Sequence, residues 1–166
     1  LERMRHPAQA ALRLEDRHVD RLAEAAAAAT GALLLTAQAP RAMLDLNRAA
    51  DDVDWEMFGR RNPATGGYAP GLRARSGLGV IPRRVPGLGE LWRHSHDESE
   101  LAARIAGIHE PYHAELARQL GLLRERWGAA LLLDLHSMPP LVAKAGQPQA
   151  HFVLGDRFGA SCHGSL

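Results

Sequence analysis

Apolar residues along this chain fall at steps of three or four in two stretches and in short unbroken runs in three others. In residues 15–30, EDRHVDRLAEAAAAAT, Val19, Leu22 and the alanines make a helical stripe, and alanine is the strongest helix former. Gly31 stands where a helix C-cap belongs. The run ALLLTA (32–37) has the continuous apolar character of a strand covered on both faces. From Asp97 to about Trp127, Leu101, Ile105, Ile108, Leu116, Leu120 and Leu123 return to helical steps, with Asp97 as the N-cap. After Gly128 comes AALLLDLHSMPP (129–140), a second buried-strand pattern ending in polar and turn residues, and HFVLG (151–155) reads as a short third strand. Helix and strand alternate, which predicts an α/β domain with a largely parallel sheet.

Between these units, residues 59–90 hold most of the glycines and prolines. This predicts a long irregular segment of the kind that more often carries function than not. Its arginines (Arg60, Arg61, Arg73, Arg75, Arg83, Arg84) suit either an anionic ligand or a solvated basic surface.

In a parallel α/β sheet, ligands bind beyond the carboxyl ends of the strands. Two polar clusters are expected there. PRAMLDLNR (40–48) follows the first run and carries Arg41, Asp45, Asn47 and Arg48. DLHSMPP follows the second and carries Asp134, His136 and Ser137. A histidine leaving a buried strand is held rigidly while its ring meets solvent, so His136 reads equally as a metal ligand or base and as a strand-end hydrogen-bonding residue.

HEPYH (109–113) has the spelling of a zinc-protease helix, with two histidines four apart and Glu110 beside the first. Pro111 argues against that reading. It lacks an N–H, crowds the carbonyl four residues back and pushes Glu110 from helical angles. A helix starting near Glu110 would leave His109 outside it and lose the shared face. His94 and His96, in RHSHDE, are a weaker metal pair. Cys162 and His163 are too little for a Cys–His catalytic pair, and GLGVIP and GLGE lack the context of a phosphate loop.

Composition narrows the field. Twenty basic against nineteen acidic residues point to no nucleic-acid or membrane partner. The single cysteine fits a reducing, cytoplasmic compartment, and no apolar run approaches the roughly 18 residues of a membrane span. The start, LERMRHPAQA, has neither an initiator Met nor a signal segment, and the expectation is a domain incomplete at both ends.

EDRHVDRL, PRAMLDLNR, SGLGVIPR, EPYHAEL, DLHSMPP and FVLGDRFGASC, in this order along the chain, resemble the N-formylglutamate amidohydrolase family over most of its length. The resemblance implies a single α/β hydrolase domain over 1–166, a three-layer sandwich with a mostly parallel or mixed sheet between helices, similar to zinc carboxypeptidases. It implies hydrolysis of N-formyl-L-glutamate to formate and L-glutamate, as in histidine degradation, with one Zn²⁺ as cofactor. By motif, His136 matches a histidine ligand and Asp16 the acidic ligand at the start of the first helix, with Glu15 as competitor. The family's other histidine lies upstream of these residues and its general-base glutamate downstream. His151 stands where the family pattern has an aspartate.

The implied partner is a small dianionic substrate. Arginine forks bind carboxylates in pairs of hydrogen bonds, so Arg41 and Arg48 are the first candidates, with Asn47 beside them and Arg83 weaker. Arg48 could instead pair with Asp45, Asp51 or Asp52, and Asn47 could cap a turn. The same fold acting on another N-acyl amino acid or a peptidoglycan amide, or a binding module without its metal, are the alternatives.

Overall fold

A computed structural model describes residues 3–59, 71–142, 146 and 148–162. The chain divides into two compact units, residues 1–135 and 136–166.

The first unit opens with α1 (Pro7–Leu14), which the helical periodicity above did not single out. Pro7 sits in its first turn, where a missing N–H costs nothing, and Ala10 and Leu14, four apart, face inward together. Glu15 is its extended C-cap. The predicted helix from residue 15 therefore starts later, as α2 (Val19–Thr30), after His18 in the left-handed region at φ 64°. Asp16 lies in the turn between the two helices and not at a helix start. Gly31 closes α2 in the left-handed conformation, as its position implied.

Residues 71–90 are tighter than an irregular loop. They hold the short helix α3 (Leu72–Arg75) and an antiparallel hairpin of β1 (Arg84–Val85) and β2 (Gly89–Glu90), paired Arg84 to Glu90 and Val85 to Gly89. Gly79 is required by close packing: a Cβ there would lie 2.4 Å from the Asp52 carbonyl oxygen. Val80 N–H donates to that same oxygen. Arg60 and Arg61 lie outside the described residues.

One long helical stretch follows: α4 (Glu98–Arg104), a π-helical turn (Ile105–His109) and α5 (Glu110–Trp127). Asp97 and Glu100 form a reciprocal capping box at its start, and Gly128 ends it in the left-handed region. Pro111 lies in the first turn of α5 but does not break the helix. His109 and Glu110 both keep right-handed helical angles. The wider turn accounts for this: Glu110 N–H reaches back five residues to the Ile105 carbonyl. The expectation that proline would separate His109 from His113 is overturned.

Two apolar clusters hold the first unit. Met4, Ala10, Leu14, Ala42, Val85 and Leu91 form one; Leu44, Val53, Met57, Val80, Ile81 and Leu101 form the other, with Ile105 and Ile108 against it. Trp92 packs against both. Its indole N–H donates to the Pro82 carbonyl at 2.7 Å.

No parallel sheet is found among the described residues. Among the described residues the ordered strands are β1 and β2, so the fold is one of helices with a small antiparallel sheet. The runs at 32–37, 129–135 and 151–155 carry no strand ladder, and Leu33, Leu131, Leu133, Phe152 and Leu154 are exposed. An apolar run marks residues suited to burial, whereas a strand exists only where a neighbour takes its N–H and C=O groups. Those neighbours do not occur among the described residues.

The described residues of the second unit hold no helix or strand. Ser161 N–H closes a turn on the Asp156 carbonyl, with Arg157 and Phe158 both in the left-handed region. Among the described residues no helix is long and apolar enough to cross a membrane.

Candidate functional site

The densest arrangement of charge among the predicted site residues centres on Asp45. The chain turns after Pro40, whose carbonyl accepts from Met43 N–H, and Leu44 anchors the next residues in the core. Asp45 is thereby drawn into the interior, 4% exposed, and its N–H donates to the Val80 carbonyl. A buried carboxylate needs partners to offset its lost hydration. Asp45 Oδ1 accepts the Asn47 N–H at 3.0 Å, a local turn that fixes the loop. Its Oδ2 faces Arg41 Nε at 3.1 Å and Arg48 Nε at 3.6 Å. The Arg41 contact is a charge pair without hydrogen-bond alignment.

Both guanidiniums have second anchors. Arg41 Nη1 reaches Asp16 Oδ2 at 3.5 Å. Arg48 donates from Nε to the Leu78 carbonyl and from Nη1 to the Asn47 carbonyl. Asp16, Arg41, Asn47 and Arg48 are thus brought together in the first unit, with Asp45 at their centre. Of the two acidic candidates, Asp16 turns its carboxylate into this cluster, while Glu15 is exposed. His136 and Ser137 belong to the second unit, where both are exposed.

The histidine pair of HEPYH serves the same loop. Along this continuous helical stretch their rings lie with centroids 4.3 Å apart, tilted 41° to each other. His109 Nε2 lies 2.8 Å from the Arg48 carbonyl and His113 Nε2 lies 3.1 Å from the Leu46 carbonyl. A carbonyl oxygen only accepts, so each Nε2 carries a proton and donates. Those nitrogens are occupied by backbone, which removes the zinc-protease reading on firmer ground than the proline did. The spacing of four was the signal in the sequence; its acceptors were not. Beside them, burial and the charge of Asp134 raise the pKa of Tyr112.

Other sequence candidates fall away. Arg83 gives one carboxylate to each donor position: Nε to Asp54 at 2.6 Å, Nη2 to Glu56 and Nη1 to Glu90, both at 2.8 Å. Burial works against its charge, but the three carboxylates prevail and its pKa is raised. It is a structural tie and not a substrate fork. The cleft of about 230 Å³ beside it is lined by Arg5, Glu56, Glu90 and Trp92 and by none of the residues around Asp45.

His96 is buried, with Nδ1 2.9 Å from Glu100 and its ring edge-on to Trp92. This makes it part of the helix start and not half of a metal pair with His94. His163, the partner suggested for Cys162, lies outside the described residues.

Carboxylate and imidazole are zinc donors, and a tetrahedral zinc site needs four of them. Among the described residues no group of three or more His, Cys, Asp or Glu side chains could hold a metal ion. The described residues therefore do not make up a metal site by themselves.

Comparison with known proteins gives this cluster its context. The family model of N-formylglutamate amidohydrolase matches residues 1–166. An N-formylglutamate deformylase of Pseudomonas putida is 33% identical over 135 residues, covering 80% of this chain and 44% of the relative. That of Pseudomonas aeruginosa is 30% identical over 154 residues, covering 91% of this chain and 51% of the relative. The chain thus spans about half the length of the curated relatives it matches. The crystal structure of N-formylglutamate amidohydrolase from Ralstonia eutropha JMP134 superposes with a TM-score of 0.61 at 35% identity, over 72% of this chain and 44% of that one. The family match covers the stretches around Asp45 and along the long helix, and this chain belongs to the N-formylglutamate amidohydrolase family.

Proposed function

We propose that the protein hydrolyses the amide bond of N-formyl-L-glutamate, giving formate and L-glutamate, as in histidine degradation in the cytoplasm. The observation that carries this reading, within the family match, is the pairing of Arg41 and Arg48 around the buried Asp45. A substrate with two carboxylates calls for two cationic forks held a fixed distance apart. Asp45 performs the spacing, since one buried carboxylate attracts both guanidiniums and keeps them from swinging into solvent. Asn47, on the turn between them, offers an amide to the substrate. Asp16 steadies Arg41.

The reading includes the family's finer features: a three-layer sandwich similar to zinc carboxypeptidases, and one zinc ion with Asp16 and His136 among its donors. Metal analysis of the intact protein, with Asp16→Ala and His136→Ala as comparisons, tests the ion. Unchanged metal content in both variants would remove these residues from its coordination.

The substrate is tested by comparing hydrolysis of N-formyl-, N-acetyl- and N-succinyl-L-glutamate. A clear preference for the formyl compound is expected. Equal rates would move the function to another N-acyl amino acid.

A further inference from the structure

We propose that His109 and His113 are positioning residues. They hold the backbone of Leu46–Arg48 and so set the aim of Asn47 and Arg48 on an anionic substrate. The inference rests on the reading of those two residues as substrate contacts.

Three consecutive carbonyls in this loop are each occupied. His113 donates to Leu46, Arg48 Nη1 to Asn47, and His109 to Arg48. The loop's amides are engaged as well, Asn47 N–H by Asp45 Oδ1 and Arg48 N–H by the Asp45 carbonyl. Two of these ties reach out of the loop to a single rigid helix more than sixty residues away in sequence. A four-residue turn on its own would be free to pivot; pinned at two carbonyls from one helix face, it has one orientation.

The π-helical turn is the second observation. An α-helix advances about 100° per residue, so one residue added in a wide turn rotates everything beyond it by that amount. Here the turn separates two tasks of one helix. Leu101 before it and Ile105 and Ile108 within it pack on the second apolar cluster; His109 at its end and His113 beyond it face the loop. Wide turns of this kind recur at functional sites, where they re-aim side chains. Pro111, which argues against a helix by itself, is tolerated just after it.

Leucine removes the donor, whereas glutamine places an amide N–H near the position of Nε2. The experiment measures kcat and KM for N-formyl-L-glutamate, and hydrogen exchange at residues 46–49, in H109L, H113L, H109Q and H113Q. The leucine variants are expected to raise KM by about tenfold, the effect of losing a hydrogen bond of ordinary strength, with kcat falling less. Exchange at residues 46–49 should quicken, and the glutamine variants should return both readouts towards wild type. Wild-type KM and exchange in the leucine variants would overturn the proposal. So would a raised KM with unchanged exchange and no rescue by glutamine, which would place the rings on the substrate itself. A wild-type protein without deformylase activity would overturn the functional reading alone, and the exchange measurement would still decide whether the histidines hold the loop. Should leucine prevent folding, wild-type KM and exchange in the glutamine variants support the proposal, and raised values in both overturn it.

Discussion

Asp45 and Arg41 form a charge pair at 3.1 Å in which the carboxylate is almost fully buried and the guanidinium only partly so. The acid is fixed by the fold, and the base is held at its edge. Replacing Asp45 with Asn preserves shape but leaves Arg41 and Arg48 to repel each other. Removing one partner of a fully buried pair is strongly destabilising; here solvent screens both arginines, and a loss of about 1–3 kcal/mol is expected in urea unfolding. KM for a dianionic substrate should rise in the same variant, because the spacing of the two forks is lost. A D45N protein of wild-type stability and KM would show that the carboxylate organises neither.

Arg83 and Arg48 separate structure from function. Lysine keeps the charge but is a single point, unable to reach three carboxylates or to fork. R83K should lower stability by about 1–2 kcal/mol, mainly through the tie to buried Asp54, since Glu56 and Glu90 are largely solvated. Its kcat/KM should stay at the wild-type value. R48K should do the reverse in kinetics and raise KM. Steady-state assays and urea melts on the two variants decide it, and a kinetic defect in R83K would return Arg83 to the substrate site.

The contrast between these arginines marks how far the sequence could be read. Local signals survived: the Asp97 cap, the Gly31 C-cap and the two helical stripes each depend on neighbours within a few residues. The family strings brought Asp16, Arg41, Asn47 and Arg48 forward, and four of the five site residues gather in one unit. Long-range partners were out of reach. Nothing near Arg83 announces Asp54, and nothing near His109 announces the Arg48 carbonyl. The apolar runs were legible as composition, but strand ladders need lateral neighbours, and the runs carry no ladder among the described residues. Pro111 misled because the rule for an α-helix does not hold in a wider turn.

Two glycines give opposite expectations. Gly79→Ala would push a Cβ to 2.4 Å from the Asp52 carbonyl oxygen and 3.2 Å from the Ala74 Cβ, both in packed backbone regions. A destabilisation of about 1–3 kcal/mol should follow from the forced shift. Gly121, inside α5, has nothing within 4 Å of such a Cβ. Gly121→Ala should stabilise by about 1 kcal/mol, the helix preference of alanine over glycine. Thermal melts of the two single variants check both signs at once.

His96 makes stability depend on pH. Its ring is enclosed by Trp92 and Phe58, Nε2 is buried without a hydrogen-bond partner, and burial lowers its pKa below the usual 6.5. The charges of Arg104 and Arg3 act in the same direction, and Glu100, hydrogen-bonded to Nδ1, acts against them without prevailing. A histidine with a lowered folded pKa is favoured neutral in the fold. The unfolded chain therefore takes up the proton first on acidification. The stabilisation is fully present above pH 6.5 and is lost as pH falls from there towards the lower folded value. Asparagine at 96 keeps a donor near Nδ1 and does not titrate. Urea unfolding at about pH 7.5 and about pH 5.5 should show wild type losing more stability than H96N across that window, the sign that proton linkage requires. Equal losses in the two proteins would mean that the buried imidazole is not the group responsible.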